Sequence, residues 1–253
     1  MKEQNIKEQL NREEGAKLYD FAIILGATGG IGSSITWGLI RKTKWIYLLG
    51  RNSEDLGALK GKLDKLKNAH IQANPINFED SEQLIQETIE DLNLQNGMGV
   101  IVNCVGTYVS QEFAQSTYAE INQHFLINAI RPMQIIATLI NYLQPGSLII
   151  NIGSSLSVAP KAQRVLTSAV KHAVRGFSLS LAEELASSGI RVCLVNPRSV
   201  ATSLLKKNSA PESYLKAMPV EDLTRAVMMM VESDPKTLFR EIDVGASQGF
   251  LGR

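Results

Sequence analysis

Gly26-Ala27-Thr28-Gly29-Gly30-Ile31-Gly32 decides how the rest of the chain is read. An apolar run, Phe21 to Leu25, leads into it, and a helical pattern running through Trp37, Leu39 and Ile40 leads out. The order is strand, glycine turn, helix. Gly26 can turn the chain tightly. Gly30 lets backbone N–H groups approach a pyrophosphate at the helix N-terminus, and Gly32 lets helix and strand pack closely. Glycine-rich turns are often plain connections, so the strand before and the helix after are what point to a nucleotide site. The spacing is G-x-x-x-G-x-G and not the longer G-x-G-x-x-G.

The pattern around this stretch alternates. Strand-like runs fall at 21–25, 45–49, 69–73, 99–105, 147–152, 190–195 and 238–243. Helical stretches lie between them near 31–42, 53–67, 80–94, 113–143, 163–188 and 220–232. Repeated strand–helix–strand units with apolar strands predict an α/β fold: a doubly wound parallel sheet of about seven strands in three α/β/α layers. Residues 1–18 are polar and read as an extension, leaving 19–253 as one domain. Residues 203–218, with Lys206, Lys207, Asn208, Pro211 and Tyr214, read as a mobile flap over the cleft.

Bulk properties narrow the classes. At 253 residues and a formal net charge of +1, the chain has length for a full core and no basic excess that would suit nucleic acid or a membrane surface. No apolar run reaches the roughly 20 residues of a membrane helix, and the Met1-Lys2-Glu3-Gln4 start has no signal-peptide core, so a cytoplasmic location is expected. Cys104 and Cys193 sit in separate apolar runs and read as core residues, with neither disulfide nor zinc spacing. His70, His124 and His172 show no ligand spacing and read as structural, and no metal site is expected.

Ligands of such sheets bind at the carboxyl ends of the strands, so the residues after each strand matter most. After the second comes Gly50-Arg51, where an arginine suits a 2′-phosphate and an acid would suit a free ribose hydroxyl. This favours NADP(H). After the third, Asn77 and Phe78 border the adenine region, with Asn77 equally suited to capping the next helix. After the fourth, Asn103 can lock neighbouring strands and Gly106 permits close approach of a ligand. Asn128, inside a long apolar helix, needs partners. Ser154 and Ser155 follow the fifth strand. Thr167 and Lys171 share a helix face at i, i+4. Pro197 forces an irregular exit from the sixth, and Thr202 can cap the next helix or bind a phosphate.

Together these residues resemble the short-chain dehydrogenase/reductase family, a Rossmann-type fold, over residues 20 to 249. Gly26 to Gly32 is similar to T-G-x-x-x-G-I-G, with Leu25 for the Thr and with Thr28, Gly29 and Ile31 inside it. Asn103-Cys104-Val105-Gly106 is similar to N-N-A-G in its first and last positions. Asn128, Ser154 and Lys171 fall where that family has its helix asparagine, its serine and the lysine of Y-x-x-x-K. Asn196-Pro197-Arg198-Ser199-Val200-Ala201-Thr202 resembles N-P-G-x-V-x-T, with Arg198 for Gly. Asp243-Val244-Gly245 resembles the closing V-D-G-G.

The resemblance implies a nicotinamide cofactor held by the glycine turn, Arg51, Asn103, Gly106, Lys171, Pro197, Val200 and Thr202. It also implies Asn128, Ser154 and Lys171 as catalytic groups. It breaks at Thr167, where the family has its tyrosine acid or base. An aliphatic hydroxyl barely ionises near neutral pH and is shorter than a phenol. Other proton sources are Ser154, a water held by Lys171 and Asn128, Tyr108 and Tyr214. Three functions stay open: an NADP(H)-dependent oxidoreductase acting on a carbonyl or similar polarised double bond with a non-standard proton donor, an NADPH-binding protein without turnover, and a dehydratase or isomerase. The partners implied are a small-molecule substrate and further copies of the chain, as a homodimer or homotetramer packed through the helices at 113–143 and 163–188.

Overall fold

In the computed structural model, residues 18–208 and 211–246 are described. All but Leu18 of the expected polar extension therefore lies outside the described residues. Seven strands form one parallel sheet: β1 (Tyr19–Leu25), β2 (Thr43–Gly50), β3 (His70–Pro75), β4 (Gly99–Asn103), β5 (Leu148–Ile152), β6 (Arg191–Pro197) and β7 (Glu241–Val244). Their order across the sheet is β3-β2-β1-β4-β5-β6-β7. The chain leaves β1 in one direction for β2 and β3, then returns to pair β4 on its other edge. The switch point, where a crevice opens, lies between β1 and β4.

Alternation along β1 shows how the layers form. Ala22 and Ile24 face one apolar layer, with Ile35 and Leu39 of α1 (Gly30–Leu39), Leu56 and Leu63 of α2 (Ser53–Asp64), and Val227. Phe21, Ile23 and Leu25 face the other, with Ile85 and Ile89 of α3 (Glu82–Glu90), and Ile135, Leu139 and Leu181. A strand buried on both faces has no polar face to present, so its sequence is continuously apolar.

The stretch expected as one helix over 113–143 is broken. α4 (Tyr118–Phe125) starts in a capping box: Thr117 Oγ1 accepts from Glu120 N at 3.2 Å, and Glu120 Oε2 accepts from Thr117 N at 2.8 Å. A π-helical turn, Leu126–Ile130, follows, and then α5 (Arg131–Leu139). Two residues account for the widened turn. Asn128 turns its amide back onto the helix, and Pro132 has no N–H to offer the Asn128 carbonyl.

α6 (Val165–Leu185) is the long helix expected over 163–188, and α9 (Val220–Glu232) matches its expected bounds. Residues 203–218, expected as a flap over the cleft, contain two short helices, α7 (Ser203–Asn208) and α8 (Pro211–Leu215). Among the described residues, no helix is long and apolar enough to cross a membrane.

Candidate functional site

The glycine turn closes the carboxyl end of β1. Gly26 takes φ +77°, and a Cβ there would lie 3.2 Å from the Cys104 carbonyl on the neighbouring strand. A Cβ on Gly32 would lie 2.3 Å from the Gly26 carbonyl oxygen, so turn and helix can meet only without one. Gly29 is the N-cap of α1 and brings no side-chain acceptor, which leaves the first-turn amides to an outside anion. Thr202 packs from β6's exit onto Gly30, whose Cβ would sit 2.9 Å from the Thr202 methyl.

A cavity of about 320 Å³ runs along this turn. Gly26, Thr28 and Gly29 form its floor, Arg51 and Phe78 bound one end, and Gly106 and Thr107 bound the other. Arg51 is exposed beside Asn52, whose Oδ1 caps α2 by accepting from Glu54 N and Asp55 N at 2.9 and 3.0 Å. Asn77 lines the same end, but its amide serves its own turn: Oδ1 accepts from Glu79 N at 3.3 Å and Nδ2 donates to Asp80 Oδ1 at 3.1 Å. Phe78 is buried.

At the other end three elements converge on Gly106. A Cβ there would be 3.6 Å from Asn128 Oδ1 and 3.7 Å from Lys171 Nζ. Asn128 Oδ1 accepts from Thr107 N at 2.8 Å, which ties the widened helical turn to the β4 exit. Lys171 is buried, and its ammonium donates to the Ile152 carbonyl at 3.0 Å. Burial pushes its pKa down to about 8, with nearby Cys104 opposing weakly. The Cys104 thiol is itself pushed up to about 12 by burial, with Lys171 opposing, so it is neutral near pH 7. Asn103 donates through Nδ2 to Asn151 Oδ1 at 3.1 Å and so joins β4 to β5.

Ser154 follows β5. Its backbone N–H donates to Asn196 Oδ1 at 3.3 Å, and its Oγ accepts from Leu156 N at 3.1 Å. Asn196 is fixed in turn by donating to Glu241 Oε1 at 2.7 Å, and Arg175 holds that carboxylate with bonds of 2.7 and 2.9 Å. This pairing keeps Glu241 below the usual carboxylate range. Pro197 ends β6, Val200 is buried, and Thr202 Oγ1 accepts from Leu205 N at 3.4 Å. The stem of Arg198 fills the place a Cβ on Gly245 would take.

Thr167 lies one turn before Lys171 and is 3% exposed. Its hydroxyl donates to the Val109 carbonyl at 3.0 Å and accepts from Val109 N at 3.2 Å, lacing the β4–α4 loop to α6. Gln111 N adds a bond to the Gln163 carbonyl at 3.2 Å, and the Arg164 guanidinium lies 4.7 Å from the centre of the Tyr108 ring. Tyr108 is thus covered by an arginine, and Tyr214 is half-buried on α8.

Two side chains the sequence pattern did not single out join the site. His124 lies one turn before Asn128 and is 3% exposed, with Nδ1 3.1 Å from Thr107 Oγ1 and 3.2 Å from Asn128 Nδ2. The i, i+4 spacing of His124 and Asn128 was the available signal. Thr107 was visible as the residue after Gly106. Among the described residues, no cluster of three or more His, Cys, Asp or Glu side chains could hold a metal ion.

The floor of helix amides, the cradle at Gly106 and the arginine at the far end fit a dinucleotide. A fold of this topology with a glycine-turn crevice at its switch point defines a nucleotide-binding α/β protein of the doubly wound class. The comparisons narrow the class. The family model described as short chain dehydrogenase matches residues 20–213, and the chain belongs to that family. Carbonyl reductase family member 4 of Danio rerio is 27% identical over 220 residues, covering 84% of this chain and 91% of that protein. A short chain dehydrogenase from Burkholderia cenocepacia, solved in complex with NADP, superposes with a TM-score of 0.78 at 20% identity, covering 90% of this chain and 98% of that one. A blue fluorescent protein from a metagenomic library, in complex with NADPH, gives 0.79 at 23% identity, covering 91% and 98%.

Proposed function

We propose that this protein is an NADP(H)-dependent oxidoreductase that reduces a carbonyl or similar polarised double bond of a small molecule. Its non-standard proton donor follows from Thr167 standing in the tyrosine's place. The observation that carries the reading is the meeting of Asn128, Lys171 and Gly106 at the end of a cavity floored by the glycine turn. The family, the name of the Danio relative and the NADP and NADPH bound to related folds support it.

When bound, a reduced nicotinamide would supply hydride. The chain's own residues would do the rest. Amides of the turn would hold the pyrophosphate, and Arg51 would pair with the 2′-phosphate. Lys171 would hold the nicotinamide ribose and present an ammonium acid enough to share its proton near neutrality. Ser154, pinned through Asn196, Glu241 and Arg175, orients the substrate oxygen. Residues 19–253 act as one unit. Exposed Phe113, Tyr118, Ile130 and Val165, in or beside the helices around α4–α6, support pairing with further copies of the chain.

Calorimetric titration with NADPH and NADH tests the reading. Wild type binds NADPH more tightly, and Arg51→Ala loses about tenfold, on the order of 1.4 kcal/mol, for NADPH alone. Unchanged NADPH affinity in that variant removes the phosphate assignment, and failure of both nucleotides to bind removes the cofactor site. A second reading, a nucleotide-binding protein without turnover, draws on the Thr167 hydroxyl being engaged by Val109. Steady NADPH oxidation with 2,3-butanedione or another activated carbonyl excludes it.

A further inference from the structure

We infer that His124 and Thr107 form the proton relay of this site: Thr107 presents a hydroxyl to the cleft, and His124 supplies and takes back its proton. The inference rests on the reductase reading above.

Thr107 lines the cavity beside Gly106, and its hydroxyl is held from the α4 side by Asn128 and His124. Asn128 Nδ2 donates to Thr107 Oγ1 at 2.8 Å and also to the His124 carbonyl at 2.7 Å. Asn128 Oδ1 accepts from Thr107 N. The asparagine therefore clamps both halves of the pair, its two amide protons spanning Thr107 Oγ1, the His124 carbonyl and, at 3.2 Å, His124 Nδ1. What remains between Thr107 and His124 is a single proton in the 3.1 Å gap from Oγ1 to Nδ1. With Nδ1 bare, the hydroxyl donates inward. With Nδ1 protonated, the ring donates to Oγ1 and the hydroxyl proton is free to point into the cleft. The second ring nitrogen, Nε2, is buried and finds no hydrogen-bond partner among the described residues. A purely structural histidine in a close-packed interior has no need of an unsatisfied polar atom, which costs stability.

The groups facing the ring set its acidity. α6 contributes Lys171, a cation that opposes a second positive charge. Cys104, at the exit of β4, acts on Lys171 and not on the ring. The loop and the widened turn contribute neutral Thr107 and Asn128, and Glu120, one turn earlier on α4, is exposed. Burial first and Lys171 second hold His124 below its ordinary value of 6.5. The ring therefore gives up an added proton readily.

Protons and electrons balance in the transfer. The carbonyl oxygen gains an electron pair as hydride reaches carbon. It takes the Thr107 hydroxyl proton, Thr107 Oγ1 takes the Nδ1 proton of the His124 imidazolium, and the imidazole stays neutral until one proton from solvent restores it, so each reduction consumes one proton from solution. Alcohol oxidation runs the same path backwards. Because the ring acts through Thr107, His124 is a positioning residue and Thr107 the group in contact with the reacting oxygen.

The test uses the full chain with ring-15N-labelled histidine. An NMR pH titration is expected to show His124 titrating below 6.5, shifting upward in Lys171→Met, and changing tautomer balance in Thr107→Val but not in Thr107→Ser. A ring that never titrates, or that ignores Thr107→Val, overturns the relay. NADPH-dependent reduction of 2,3-butanedione supplies the second readout. Wild type is expected to reduce faster as pH falls toward 6.5. His124→Asn, which keeps a polar atom near the Nδ1 position but has no proton to trade, is expected to lose at least tenfold and that acid-side rise. Thr107→Val is expected to lose as much, with Thr107→Ser restoring it. A profile governed by Lys171 alone, near pH 8 and unchanged in His124→Asn, overturns the proposal. A parallel NADPH titration separates the readings. Binding with an uncoupled ring removes the relay only, and no binding removes the cofactor site and the relay with it.

Discussion

Two buried polar clusters stand side by side at the carboxyl ends of β4 and β5, and they are built on opposite rules. In one, Asn103 donates to Asn151, Asn151 donates to Ser178 at 3.0 Å, and Ser178 donates to the Val174 carbonyl at 2.7 Å. Every member is neutral and each donor has an acceptor. In the other, Asn128 clamps Thr107 and His124 a short distance from Lys171, two side chains are ionisable, and His124 Nε2 is left without a partner among the described residues. The first cluster fastens strands to a helix. The second bears an energetic penalty that a fastening does not require, which is the pattern expected of a functional site.

Lys171 gives the sharpest way to break this contrast. Its folded pKa, about 8, lies below the ordinary lysine value of 10.5 because burial disfavours the ammonium. Between pH 8 and 10.5 the unfolded chain holds more protons than the folded one, so stability rises with pH across that window. Below pH 8 the penalty is at full size, about 1.4 kcal/mol for every tenfold by which burial weakens proton binding. Lys171→Met is expected to lose at least a hundredfold in NADPH-dependent turnover. It should nonetheless melt above wild type at pH 7, with the gap narrowing from pH 8 to 10.5. A gap that stays constant across that range shows that Lys171 is not a buried cation.

The satisfied cluster predicts the reverse. Asn103→Leu leaves the Asn151 carbonyl oxygen buried without its donor, at a cost of about 1–3 kcal/mol. Chemical denaturation should find that loss. Although the family resemblance puts Asn103 beside the cofactor, its amide is engaged by Asn151 and Val105, so the folded fraction should keep its NADPH affinity within about threefold and its pH profile unchanged. A changed profile would merge the two clusters into one functional unit.

The sequence made the frame legible because periodicity and glycine spacing are local. β1, the glycine turn and α1 can be read from residues 21 to 40, and the paired apolar layers follow from strands with no polar face. What local pattern did not reveal is long-range. The break in the 113–143 stretch has a local part, Asn128 bonding back to the His124 carbonyl and Pro132 withholding an amide, and a long-range part, Asn128 engaging Thr107, 21 residues away. His124 reads as an ordinary helix residue until that break turns it against Thr107. Asn77 had two readings from sequence, and its bonds to Glu79 and Asp80 place its amide in the turn.

Thr167 is the smallest effect and the finest probe of the boundary between fastening and chemistry. Its hydroxyl makes two bonds to one residue, Val109, 58 positions earlier. That pair resembles the satisfied cluster in being fully engaged, yet it lies one turn from Lys171. Thr167→Val keeps the volume and removes both bonds. A net loss of about 1 kcal/mol is expected, or roughly 2–4 °C in Tm for a chain of this size. If Thr167 only ties the loop, NADPH oxidation in the variant stays within about threefold of wild type once the folded fraction is matched. If it falls tenfold or more with Tm unchanged, the hydroxyl leaves Val109 during turnover and the proton comes from Thr167. That outcome would move Thr167 from the group of fastenings to the group that does the chemistry, and the proton path would then run along α6 instead of α4.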